Sequence, residues 1–165
     1  MPKITINFLK NKIDYSGKYP VLIWKGEPRT PKIIAKYKVE KAMVTKEWVS
    51  FKDYIQVKFL KYEKTDGMKG DYVKNCAIKT EKSLEFCLEK NNFPYRNFKD
   101  RFEHNILWID DDQDIEKALN FAFEEYKGRD YIYFQNSLQN QSVKGVTHFH
   151  FLTLKKIICK VNLKN

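Results

Sequence analysis

Two histidines, His148 and His150, flank Phe149 in a run of aromatic and β-branched residues. On a strand, residues two apart project from the same face, about 7 Å apart at about 3.4 Å per residue, so the two imidazoles could share one divalent metal ion. A second group is basic. Lys32, Lys36 and Lys38 alternate with Ile33, Ala35, Tyr37 and Val39, and only Ile34 interrupts the row. The alternation predicts a strand with a lysine face. The next alternating run, Tyr54 to Tyr62, sets Ile55, Val57 and Phe59 on one side and Tyr54, Lys58 and Tyr62 on the other. Lysines that track phosphates beside rings on which bases stack are the combination that holds single-stranded nucleic acid. A third group, Asp110, Asp111, Asp112 and Asp114, offers clustered oxygens to a hard cation, but it lacks the glycine and the terminal glutamate of the calcium loop. At the start of a helix the same carboxylates act as caps.

The His-hydrophobic-His triplet resembles the core motif of the rolling-circle and relaxase nucleases, in which the histidines hold a divalent cation that polarises a phosphodiester. The resemblance implies a metal-dependent phosphodiesterase centred on His148 and His150, with a nucleophilic tyrosine on a following helix. Here 15 residues follow His150 and none is tyrosine. A cupin-like site would need a downstream glutamate, and residues 131–165 contain no acid. The chain has no phosphate-cradling glycine loop, G-x-S-x-G elbow or HExxH pair, and no spacing that makes Cys87 and His104 a thiolate–imidazole pair. No cofactor is expected.

The elements that must position these groups begin with an amphipathic helix over about 111–127. Ile115, Ala118, Leu119, Ala122, Phe123 and Tyr126 form its apolar stripe, with aspartates at its start and Lys127 and Gly128 at its end. Tyr131 to Phe134 reads as a buried strand, Val146 to Leu163 as a long one, and Ile106 to Ile109 as a short one. Ile4, Ile6 and Phe8 alternate as a first strand, followed by Val21 to Trp24. Asp66 and Gly67, with Gly70 close behind, predict a hairpin loop into a strand over Tyr72 to Ile78. Thr80 caps a predicted helix through Lys90, and Pro94 opens a shorter helical turn that uses Phe98 and Phe102. Gln135 to Gly145 is a predicted loop. The fold class expected is α+β: one domain over 1–165, a largely antiparallel sheet, and two to three packed helices. A β-rich subdomain over 1–80, closed as a small barrel beside an α+β subdomain over 81–165, is the architectural alternative.

The formal charge of +10 is unevenly spread. Residues 1–100 carry 22 Lys or Arg against 12 Asp or Glu, and residues 101–165 carry nine of each. The acids of the second part all lie within 101–130, so an acidic helix start sits between two basic regions. Such a field favours a polyanionic partner. Cys76, Cys87 and Cys159 are odd in number and widely spaced, which argues against a disulfide framework or a zinc knuckle. With no signal-peptide pattern and no run of membrane-spanning length, the expected setting is intracellular, in cytoplasm or nucleus, without membrane contact. Three functions follow. The first is a basic protein that binds RNA or single-stranded DNA through a lysine and tyrosine sheet face. The second is a protein-binding accessory subunit or inhibitor anchored by Trp24, Trp48 and Tyr62. The third is the phosphodiesterase centred on the histidine pair.

Overall fold

In the computed structural model, residues 5–24, 29–95, 98, 101–137, 143 and 145–155 are described. The centre is an eight-residue antiparallel pairing between β6 (Phe102–Ile109) and β8 (Thr147–Leu154), registered from Phe102 opposite Leu154 to Ile109 opposite Thr147. β7 (Tyr131–Asn136) flanks β8, and β5 (Phe86–Lys90) flanks β6. Two short strands, β1 (Ile13–Asp14) and β2 (Val21–Leu22), extend the sheet beyond β7 in the order β1-β2-β7-β8-β6-β5. β2 runs parallel to β7, and every other pairing is antiparallel. A separate hairpin joins β3 (Glu63–Lys69) to β4 (Tyr72–Ile78). The fold is α+β with a largely antiparallel sheet. Among the described residues the N-terminal half forms no barrel.

Alternation along the central strands decides what each sheet face carries. Leu107, Ile109, Phe149 and Phe151 bury one face under α4 (Ile115–Glu125), whose Ala118, Leu119 and Ala122 supply the stripe read from the sequence. Tyr126 lies flat on Phe151, with ring centroids 5.2 Å apart. The opposite face divides into two apolar clusters. Phe102, Ile132, Phe134 and Leu152 pack with Ile6 and Leu9 of α1 (Ile6–Lys10), whereas Ile106 and Trp108 pack with Val44 and Ile55 from the next two helices.

Those two helices correct the sequence reading. Residues 31–47 are not a strand but α2 (Pro31–Glu47), and residues 51–59 are α3 (Phe51–Phe59). Both runs fit either period over a few residues, and the capping groups decide between them. Thr30 accepts the Ile33 amide and Pro31 occupies the first turn, where its missing N–H costs nothing. Ser50 accepts the Asp53 amide in the same way. Asp53 then accepts the Ala77 amide at 2.9 Å, fixing α3 to the hairpin. Read with the helical period, Ile33, Tyr37, Glu40 and Val44 face inward, while Ala35 and Val39 face solvent.

Other boundaries shift for local reasons. Thr5 caps α1, so Ile6 and Phe8 lie on a helix. Thr80 and Ser83 close a turn, after which Cys87 and Leu88 pair with β6 rather than continuing a helix. The hairpin turn narrows to Gly70, which takes φ +59°, while Asp66 and Gly67 lie inside β3. A Cβ at Gly67 would come within 2.7 Å of Cys76 Cβ, so glycine there permits close packing. Phe102 opens β6, while the rest of the helical turn expected after Pro94 lies largely outside the described residues, as do Cys159 and the C-terminal part of the last predicted strand.

The four aspartates also separate in role. Asp114 caps α4 through the amides of Glu116 and Lys117. Asp110 is buried, and its carboxylate accepts from Tyr62 Oη and Lys79 Nζ, both at 2.6 Å, and from Gln56 Nε2 at 3.3 Å. Burial opposes its charge, but the hydrogen bonds from Lys79 and Tyr62 outweigh that and hold it below the ordinary carboxylate range. One carboxylate thus joins α3, the segment after it, the end of β4 and the end of β6. Asp110→Ala should destabilise by about 2–3 kcal/mol, because it strands the Tyr62 hydroxyl, and Asp114→Ala by about 1 kcal/mol. Urea unfolding of the two variants checks the order, and equal losses would contradict it.

Candidate functional site

The sequence has three histidines, and all three lie on one face of β6 and β8, at the seam between the two apolar clusters. His148 and His150 share that face, as the strand spacing predicts, and register brings His104 diagonally beside His150. His104 Nε2 and His150 Nδ1 are 2.9 Å apart. One nitrogen must donate and the other accept, so neutral rings satisfy the contact. Asn91 Oδ1 accepts the Phe93 amide, which leaves its Nδ2 facing His104, 3.2 Å from the ring nitrogens. The amide stands equally far from both ring nitrogens, so whichever ring donates in the His104–His150 contact, the other accepts. His150 Nε2 lies 3.0 Å from the Asn136 side-chain amide.

This arrangement bears directly on metal binding. Both nitrogens of His150 are taken by side chains, and the His148 and His150 rings stand at 75° to each other. Among the described residues, no group of three or more His, Cys, Asp or Glu is arranged to hold a metal ion.

His148 is different from its neighbours. Its Nδ1 lies 2.9 Å from the Val146 carbonyl, so Nδ1 carries the proton and Nε2 keeps a lone pair. Trp108 lies over the ring at 4.9 Å. Nε2 has no hydrogen-bond partner among the described residues. It is also not sealed: Thr80 Oγ1 is the one described side-chain polar atom that is fully buried without a partner. His148, His150 and Asn136 line one side of a cavity of about 80 Å³ between this sheet face and the α2–α3 pair. Phe59, Trp108, Tyr37 and Tyr95 form aromatic walls. Arg29 sits between the last two, 5.3 Å from the Tyr37 ring and 5.1 Å from the Tyr95 ring.

Tyr54, Lys58 and Glu40 stand at the same cavity. Lys58 donates to Glu40 and to the Tyr54 hydroxyl, and that hydroxyl donates to Glu40, at 2.7–2.8 Å throughout. Burial works against the Lys58 charge, but these bonds outweigh it and raise its pKa. Tyr54 and Lys58 therefore do not form the expected stacking face of a strand; they brace one wall of a cavity. Tyr62 belongs to the core, where burial and the Asp110 carboxylate push its pKa up to about 12.

Lys32 and Lys36, one helical turn apart on α2, line a larger groove of about 640 Å³ with Lys90, Asn92 and Lys155. Lys38, exposed on α2, is not among its lining residues, so the lysine row divides between two surfaces. The groove and the cavity share Lys90, Asn91 and Asn92 as a common wall. Glu103, the groove's acid, is paired with Arg129 at 2.6 Å. Trp48 is buried and Trp24 half-buried, so the expected protein-binding anchors are not exposed.

No protein-family model and no curated protein matches the chain. A solved structure, "Crystal Structure of HTC1", is similar over 78% of this chain and 76% of that one, at 17% identity and a TM-score of 0.47. A likeness at that level carries no argument about chemistry. No helix among the described residues is long and apolar enough to cross a membrane.

Sequence reading found His148 and His150 but not His104, Asn91 or Asn136, which only strand register brings to them. Burial pushes the His104 pKa down to about 3, helped by the Arg29 charge, and lowers His148 and His150 in the same direction. The unfolded chain, with histidines near pH 6.5, therefore binds more protons below that pH than the folded one. Stability should be fully present above about pH 6.5 and fall as the pH drops, by up to about 1.4 kcal/mol per unit for each neutral histidine. Urea midpoints measured from pH 7.5 to pH 4.5 check this, and a flat profile down to pH 5 would contradict it.

Proposed function

We propose that the protein binds single-stranded nucleic acid, RNA or single-stranded DNA, along the groove between α2 and the β5–β6 edge. The observation that carries this reading is the shared wall: a groove lined by Lys32, Lys36, Lys90 and Lys155 runs beside a cavity walled by aromatic rings. Phosphates need cations and bases need flat apolar surfaces, and single-strand binders set the two side by side. The formal charge of +10 adds a long-range attraction for polyanions. α4 and its acidic start cover the other sheet face. Compared with the strand face expected from sequence, Lys32 and Lys36 stay in the role of phosphate contacts, Lys90 joins them, and Lys38 and Tyr62 leave it. Tyr54 and Lys58 act through the cavity wall.

A protein-binding role is the second reading, and it rests on different residues from those expected. Met68, Tyr72 and Val73 of the β3–β4 hairpin are 62%, 73% and 65% exposed, which suits a hairpin that contacts another chain.

Each phosphate neutralised on a single strand releases condensed counterions, contributing about 0.7 to the slope of log affinity against log salt. Combining Lys32→Gln, Lys36→Gln and Lys90→Gln should flatten the slope for an oligonucleotide by about 2 and weaken all sequences alike. Fluorescence anisotropy across a salt series measures it. An unchanged slope, or no binding by the unaltered protein at low salt, would reject the proposal.

A further inference from the structure

The β3–β4 hairpin stands apart from the main sheet and has an edge that no described strand covers. Which residues face that edge follows from the ladder. The Asn75 carbonyl accepts the Val49 amide, and the Ala77 amide donates to Asp53 Oδ1, so both residues turn their backbone groups away from β3. In an antiparallel pair such residues alternate with those bonded across the ladder. Their register partners, Asp66 opposite Asn75 and Lys64 opposite Ala77, therefore point their own N–H and C=O groups away from β4, as does Met68 opposite Val73. Those groups meet no partner among the described residues. The seven-residue register is unbroken and β3 contains no proline, so neither a bulge nor a missing N–H blunts this edge.

The surface around the edge differs from the rest of the molecule in two ways. Against a formal charge of +10, residues 63–78 are balanced, with Glu63, Asp66 and Asp71 offsetting Lys64, Lys69 and Lys74. They also hold Met68, Tyr72, Val73 and Ile78, four of the ten large apolar side chains that the described residues leave exposed. A neutral edge gives a strongly charged partner no hold, and it is where the overall charge least opposes the approach of a second copy. Charge then selects the register. With Thr65 opposite Thr65 of the second copy, Lys64 faces Asp66 twice, and these are the residues whose backbone groups are free to exchange hydrogen bonds. Centring the pair on Asp66 would instead set two carboxylates opposite each other. We propose that β3 pairs antiparallel with β3 of a second copy about Thr65, joining two hairpins into a four-stranded sheet. Glu63 to Gly67 of each copy form the ladder, and each tip, with Met68, Tyr72 and Val73, reaches over the base of the other hairpin. A contact of this size lies below the roughly 1,200 Å² of a stable interface, so the dimer is weak. It rests on the protein-binding reading, to which it gives a partner, and it uses none of the residues that line the groove.

Sedimentation velocity of the full chain over a roughly hundredfold concentration range, up to about 1 mM, measures the association. A reversible monomer–dimer equilibrium is expected. Lys64→Glu, which sets acid against acid, and Asp66→Lys, which sets lysine against lysine, should each weaken it roughly tenfold. Both positions are exposed, so circular dichroism and thermal midpoints should match those of the unaltered protein. The double variant Lys64→Glu with Asp66→Lys should restore the dimer. An equimolar mixture of the two single variants should form a heterodimer where neither associates alone, which an effect of net charge would not produce. The groove variants Lys32→Gln and Lys36→Gln should dimerise as the unaltered protein does, so failure of the groove and failure of the hairpin read out separately. A protein that stays monomeric throughout overturns the self-pairing alone, since Met68, Tyr72 and Val73 remain open to a different chain. A dimer unmoved by either substitution, or single variants that do not associate when mixed, places the contact elsewhere and overturns the proposal.

Discussion

Burial of His104 and His150 on one sheet face depends on the β6–β8 register that lets them satisfy one another. His104 stands diagonally across from His150, close enough for a single hydrogen bond, and Asn91 and Asn136 close the two ends of that chain. A slip of β8 by one residue would send His148 and His150 to the α4 side and leave His104 without its ring partner in an apolar cluster. The polar chain also marks the seam where the α1 cluster ends and the α2–α3 cluster begins.

Asp110 performs the corresponding task at the end of β6. It binds Tyr62, Lys79 and Gln56 and so holds α3 over the histidine face. α2 then covers the outer side of the cavity and brings Lys32 and Lys36 to the groove. Two buried polar networks, one of neutral imidazoles and one around a charged carboxylate, thus fix the position of apolar layers that would otherwise slide. Acid attacks the two differently: the imidazoles gain charge as the pH falls, and the carboxylate loses it.

The part of the fold legible in the sequence was the part with one dominant period. α4 combined a continuous apolar stripe with an aspartate cap and a closing glycine at φ +74°, and β6, β7 and β8 were dense in β-branched and aromatic residues. α2 and α3 were misread because Ile33, Tyr37, Ile55 and Phe59 satisfy alternation and helical spacing together over short windows. The deciding signals were short ones, Thr30 before Pro31 and Ser50 before Asp53. The candidate site was legible only in fragments. His148 and His150 announce a shared strand face, but the partners that occupy His150 lie 14 and 46 residues away in the chain. Long-range pairing of that kind leaves no local pattern. Asp110 looked like a cap beside Asp114, and only its burial reveals a hub.

The groove and the cavity form one surface on the α2 side of the sheet, and a bound strand must therefore leave its mark there and nowhere else. Amide and imidazole chemical shifts of the labelled protein, followed during titration with a short single strand, report this residue by residue. The expected result is that shifts concentrate at Lys32, Lys36, Lys90 to Phe93 and His148, with α4 unmoved. Shifts confined to α4 or to the β3–β4 hairpin, or none at all at low salt, would contradict it.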